Sequence, residues 1–249
     1  MKIYITYLLL IFSSLLMHAQ DDRFEKGNAD YSNGNYHEAI TNYQSILETG
    51  VESGDLYFNL ANAYYKNGQL ADAILNYERA LLLKPQDKDV KYNLELAYSQ
   101  TTDKITPIGG FFISKWHKSF QNKATSDFWA IIGICGLLLT LICAALFIYS
   151  RSVILKKAGF YLSFAFFILT ITGIVFAYQQ KQKLTERNHA IVFSPSLTVK
   201  SSPDASGTEI FILHEGTKVE IINTLGTWKE IELADGNVGW IEEHAITVI

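Results

Sequence analysis

Three textures of apolar and polar positions follow one another along the 249-residue chain. Over the first hundred residues, apolar positions recur at spacings of three and four. Leu56, Leu60, Ala63 and Tyr64 form one such stripe, and Ala73, Tyr77, Ala80 and Leu81 the next. That periodicity predicts amphipathic helices. Asn67-Gly68 breaks the two stripes apart and Pro85 follows the second, so the unit reads helix, turn, helix, with glycine ending the first helix in a left-handed conformation. Two apolar runs without a charge come next, Phe128–Tyr149 and Ala158–Tyr178. Each reaches the roughly 20 residues that carry a helix across a bilayer core. From His189 the pattern changes to short alternating runs at 190–192, 197–199, 209–213, 218–222, 228–233 and 238–241, divided by turns that hold Gly207, Gly216, Gly226 and Gly236. Many short strands with glycine turns predict a small all-β barrel.

The helical pattern repeats itself after 34 residues. Phe24, Asn28, Ala29, Tyr31, Gly34, Ala39 and Tyr43 return as Phe58, Asn62, Ala63, Tyr65, Gly68, Ala73 and Tyr77, and Asn59, Leu60, Ala63 and Tyr64 return as Asn93, Leu94, Ala97 and Tyr98. A period of this length marks a stack of helical repeats. Tyr57, Leu60, Ala61, Tyr64, Gly68, Ala73, Tyr77, Ala80 and Pro85 stand at the positions by which unit 54–87 resembles the tetratricopeptide repeat. Unit 20–53 departs from it at Lys26, Asp30 and Ile46, and 88–100 is expected as a solvating end helix, giving a repeat domain over 20–103. The resemblance implies a concave, protein-binding groove lined by the first helix of each unit. The matching residues are Phe24, Asn28, Tyr31, Phe58, Asn62, Tyr65 and Lys66, with Tyr92 extending the row. Two readings stand for these aromatics and amides: anchors and backbone partners for a bound peptide, or packing and solvation of the face.

Charge is distributed unevenly. The overall net charge is −4, yet residues 20–100 hold thirteen acids and seven bases, 189–249 nine acids and three bases, and 101–188 three acids and ten bases. Acidic globular parts exclude nucleic acid as a partner. Lys2, the apolar run Ile3–Met17 and Ala19 read as a signal peptide over 1–19, with an uncleaved anchor helix as the competing reading. Arg151, Lys156 and Lys157 make 150–157 a short basic loop, expected on the cytoplasmic side between spans 128–149 and 158–178. Both terminal domains then lie across the inner membrane, on the periplasmic side. Residues 104–127 hold a linker opened by Pro107 and Gly109. Phe112, Trp116 and Phe120 share one helical face there, either on the membrane surface or within a plain linker, and 179–188 is a second linker.

The C-terminal stretch 189–249 resembles the bacterial SH3 domain through Leu197–Pro203, Glu215-Gly216-Thr217-Lys218-Val219, Gly226-Thr227-Trp228 and Asp235–Ile241. That resemblance implies a non-catalytic module for protein segments or cell-wall peptides, with Trp228 and Trp240 as ligand contacts. Against this, Trp240 after Gly239 reads as a core residue or barrel plug, and the same alternative stands for Trp228.

Catalytic chemistry is not indicated. The six histidines are isolated, Cys135 and Cys143 both lie inside an apolar run, and neither a phosphate loop nor a nucleophile elbow occurs. The expectation is therefore no enzyme, no catalytic residues, no cofactor and no metal. The whole order (signal, tetratricopeptide repeats, two spans, bacterial SH3) resembles the BatE-type proteins of Bacteroides-type aerotolerance operons. This implies work beside von Willebrand A-domain Bat membrane proteins in oxygen or envelope stress. The expected function is a membrane-anchored scaffold; the alternatives are a peptidoglycan sensor and an accessory subunit of a membrane enzyme or transporter.

Overall fold

A computed structural model of the protein describes residues 22–107, 109 and 112–249. The signal-peptide segment 1–19 lies outside these. Among the described residues, five helices make up the N-terminal region: α1 (Asp22–Ser32), α2 (Tyr36–Leu47), α3 (Gly54–Lys66), α4 (Leu70–Leu83) and α5 (Lys88–Gln100). They stack as two helix–turn–helix units and an end helix. Ser53 starts α3 by accepting a hydrogen bond from the Leu56 amide, and Asp87 does the same for α5 from Asp89 and Val90. Gly68 ends α3 at φ +80°, as the sequence pattern predicts. Ala39, Ala61, Ala63 and Ala73 are fully buried where helices cross, and Tyr43 and Tyr77 fill the space beside them.

Next come α6 (Phe112–Gln121), α7 (Ser126–Tyr149) and α8 (Val153–Thr185). The last two are long and apolar enough to cross a membrane. In each, only 17% of the most apolar stretch is buried, so side chains such as Leu138, Leu141, Phe164 and Phe167 face outward. A core helix of a soluble protein would show the reverse. The two helices pack closely along small residues: a Cβ on Gly173 would lie 2.8 Å from the Gly133 nitrogen, and one on Gly159 would lie 2.8 Å from the Cys143 carbonyl oxygen. At 33 residues α8 is about 50 Å long. It runs past both ends of the charge-free segment 158–178. Helix α6 caps the pair: Trp129 Nε1 donates to the Gln121 carbonyl at 2.9 Å, and the Trp129 ring meets Phe176 at 4.9 Å and Phe120 at 5.6 Å. Trp116 stacks on Phe120 and stays 63% exposed.

The C-terminal residues form an antiparallel sheet with strand order β3-β2-β6-β5-β4-β1-β7. The strands are β1 (His189–Val192), β2 (Leu197–Lys200), β3 (Glu209–Leu213), β4 (Lys218–Leu225), β5 (Trp228–Glu232), β6 (Val238–Glu242) and β7 (Ile246–Val248). The alternating pattern foreshadows all but β7, a three-residue strand after a 3-10 turn that offers too short a run to show a period. Val199, Leu213, Val219, Ile231 and Ile241 make the sheet's own core.

Strand β1 serves two cores at once. Ala190 and Val192 point into the sheet core, whereas Ile191 joins the core of the repeats together with Ile249. The sheet is thus packed onto the repeat region rather than tethered beside it.

Candidate functional site

The first-helix face of the repeats is organised by two rungs of hydrogen bonds. Tyr43 on α2 donates its hydroxyl to Asn28 Oδ1 at 2.8 Å, and Asn59 on α3 donates to the same oxygen at 3.0 Å. One repeat later, Tyr77 on α4 donates to Asn62 Oδ1 at 2.6 Å and Asn93 on α5 donates at 2.9 Å. Each asparagine therefore joins the two helices of its own unit to the first helix of the next. Burial pushes the Tyr43 hydroxyl up to about 12, with Tyr31, Asp30 and Glu25 adding to the effect, and burial also raises Tyr77. Both phenols remain donors at any ordinary pH.

Within this arrangement the groove residues take different places. Phe24 and Phe58 lie against the rings of Tyr43 and Tyr77, at 5.9 and 6.0 Å, and pack into the core edge. Asn28 and Asn62 have committed their carbonyl oxygens to the stack. Tyr31 is held edge-on to Tyr36 at 5.5 Å, and Tyr65 accepts a hydrogen bond from Gln100. Lys66 is exposed, and Tyr92 is 67% exposed on α5. A cavity of about 290 Å3, lined by Asn28, Tyr31, Ser32, Tyr43, Asn59 and Asn62, opens beside the first rung. Asn59 and Asn93 were not among the sequence candidates, although their own 34-residue spacing is the signal that could have found them.

The second-helix face carries a different kind of polar contact. Glu78 on α4, with its side chain 9% exposed, accepts from Tyr98 at 2.7 Å and pairs with Lys218 of β4 at 2.7 Å. Arg79 donates to the Val248 carbonyl at 2.8 Å. Asp103, just past α5, takes three hydrogen bonds from the turn before β4: the His214 amide at 2.7 Å, His214 Nδ1 at 2.8 Å and the Thr217 hydroxyl at 2.7 Å. Burial works to raise the Asp103 carboxyl, but those hydrogen bonds and the neighbouring His214 outweigh it and hold it below the usual carboxylate range. Gly216 completes the joint. Its φ is +83°, and a Cβ there would lie 2.9 Å from Thr101 Cγ2 and 3.0 Å from Ile74 Cδ1.

On the sheet, Trp228 pairs with Glu242 and Trp240 with Glu230, so both indoles occupy the same face, opposite the buried Ile231 and Ile241. Both are half-buried, and Lys200 Nζ sits 5.6 Å from the Trp228 ring centre. The structure therefore brings the two sequence-predicted tryptophans together. Among the described residues no group of three or more His, Cys, Asp or Glu could hold a metal ion.

No curated protein matches the chain. The stretch 24–89, which holds the alanine crossings and the first hydroxyl–amide rung, matches the tetratricopeptide repeat, a family of protein-interaction modules.

Proposed function

We propose that the protein is a membrane-anchored, non-catalytic scaffold that presents a repeat groove and an SH3-like sheet together on the outer side of the inner membrane. The observation that carries this is the match of 24–89 to an interaction repeat whose first-helix face keeps an open, aromatic-rimmed cavity. The outward-facing apolar side chains of α7 and α8 support the membrane placement, because only an apolar medium covers such a surface without cost. The leader pattern and the basic segment 150–157, a turn at 150–152 followed by the first residues of α8, support the orientation. The order of parts further supports partners of the von Willebrand A-domain Bat type in oxygen or envelope stress. Tyr92 and Lys66 are the groove residues free to meet a partner, with Trp228 and Trp240 as a second contact on the sheet.

Because repeats and sheet share a core, two partner contacts would be held at a fixed separation, so one bound partner positions the second rather than merely concentrating it. Capture of membrane partners by the full chain tests the idea. Tyr92→Ala with Lys66→Glu is expected to reduce capture at unchanged expression, whereas full capture by the double variant overturns the groove assignment. A periplasm-active reporter in a linker after Ile249 tests the orientation: activity is expected, and an expressed but inactive fusion would refute it.

A further inference from the structure

Where the repeats, the α6–α7 link and the upper end of α8 meet, they enclose a cavity of about 590 Å3. Four lysines line it, Lys91, Lys123, Lys183 and Lys218, against two carboxylates, Glu78 and Asp127. Glu78 is already engaged by Lys218. Lys183 is held in place by Asn122 Oδ1 and Gln180 Oε1, both at 2.9 Å. Lys91 and Lys123 have no carboxylate within 4 Å among the described residues; Lys123 rests over the Phe120 ring at 5.4 Å. The cavity therefore carries surplus positive charge in a recess whose floor includes Leu81, Leu82 and Leu83.

Its height along the helix pair is the second observation. Thr125, Ser126 and Asp127 line it, and the apolar surface of α7 begins directly after them at the exposed Phe128. On α8 the lining residues Gln180, Lys183 and Leu184 come within six residues after Tyr178, the end of the charge-free run. The cavity thus sits at the rim of the apolar belt, where lipid headgroups lie just outside the hydrocarbon core.

We propose that this recess binds the phosphate group of an anionic membrane phospholipid, with Lys91 and Lys123 as its charged contacts and the acyl chains lying along the outer surface of α7 and α8. The phosphate chemistry follows from four lysines set against two carboxylates, and the lipid source follows from the position at the belt's rim. A lipid held there would sit against both the repeats and the sheet's Lys218, joining them to the bilayer.

The proposal rests on the membrane reading above, and native mass spectrometry of the full chain released from nanodiscs separates the two. Discs of phosphatidylglycerol are compared with discs of phosphatidylcholine, with and without inorganic phosphate. The wild-type chain is expected to retain phosphatidylglycerol selectively, and Lys91→Gln with Lys123→Gln to lower that retention about tenfold or more. Lys181→Gln, on α8 but outside the recess, is expected to leave it unchanged. Equal loss with Lys181→Gln, or equal retention by the double variant, overturns the site. Retention of inorganic phosphate in phosphatidylcholine discs at the level seen for phosphatidylglycerol overturns the lipid source. A chain that enters neither disc refutes the membrane reading itself, while entry into both without lipid preference refutes only the site.

Discussion

The two faces of the repeat stack solve the same problem in opposite ways. On the first-helix face, polar side chains satisfy one another inside the stack: Asn28 and Asn62 each take a tyrosine from their own unit and an asparagine from the next. On the second-helix face, Glu78, Arg79 and Asp103 reach out of the stack to Lys218, Val248, His214 and Thr217. The first set fixes the spacing of repeats and leaves an open surface. The second closes a surface by covering it with the sheet. Two regions that are each acidic in total would repel at long range, yet salt screens that term within about 10 Å. The contact is decided by three local, mutually hydrogen-bonded sites.

The comparison can be broken most severely at Gly216. Gly216→Val adds a β-branched side chain where φ is +83° and Thr101 and Ile74 leave no room. A loss of about 3 kcal/mol is expected, with calorimetric unfolding split into separate repeat and sheet transitions. A single unshifted transition would mean that the shared core does not couple the two.

Next in size, Asn62→Ala leaves the Tyr77 hydroxyl and the Asn93 amide without their acceptor. About 2 kcal/mol should be lost in chemical denaturation, without splitting the transition, because the rung lies within one face.

A smaller effect sharpens the contrast through pH. The Asp103 carboxyl is depressed in the folded protein. Its contribution is therefore fully present above the unfolded value of about 4 and is lost as pH falls through the lower folded value. Stability measured for wild type and Asp103→Asn between pH 7 and pH 3 should differ most at the neutral end and converge at the acid end. The Asn62→Ala deficit should stay constant across that range.

Smallest in stability, Lys66→Glu and Tyr92→Ala should each remain within about 0.5 kcal/mol of wild type in thermal unfolding, because both side chains are exposed. That neutrality is what makes them clean probes of partner capture. Phe58 and Asn62 are not, since both are built into the stack.

What was legible in the sequence follows the same division. An interaction made once per repeat leaves a 34-residue trace, so the helices, the Gly68 turn, the tyrosines and the asparagines were all readable from spacing. A contact made once leaves none. Asp103 at the end of the repeat domain, Glu78 within it and Ile191 in a strand carry no pattern that marks their partners. The turn at Gly216 was readable because positive φ has a residue preference, but its closeness to Thr101 depends on the docking and has no local signature. Within the groove, the sequence placed Phe24, Asn28, Phe58 and Asn62 on one face of the first helices. It could not say that the side-chain oxygens of Asn28 and Asn62 were already committed, because the partners Tyr43 and Tyr77 lie on the other helix of each unit.

The α7–α8 pair has one more effect, on the assembly of the fold. Glu78 and Lys218 are 140 residues apart in the chain, and Arg79 and Val248 are 169 apart. Were residues 104–188 a flexible connection, bringing its ends together would cost about 4 kcal/mol in chain entropy before any contact formed. The helical hairpin removes most of that cost. Its short turn at 150–152 sends the chain out and straight back, so β1 emerges beside the helices it must meet. In topological terms a long-range contact has been made almost local, and the search for the docked state becomes a search over a few degrees of helix orientation rather than over the conformations of a free loop.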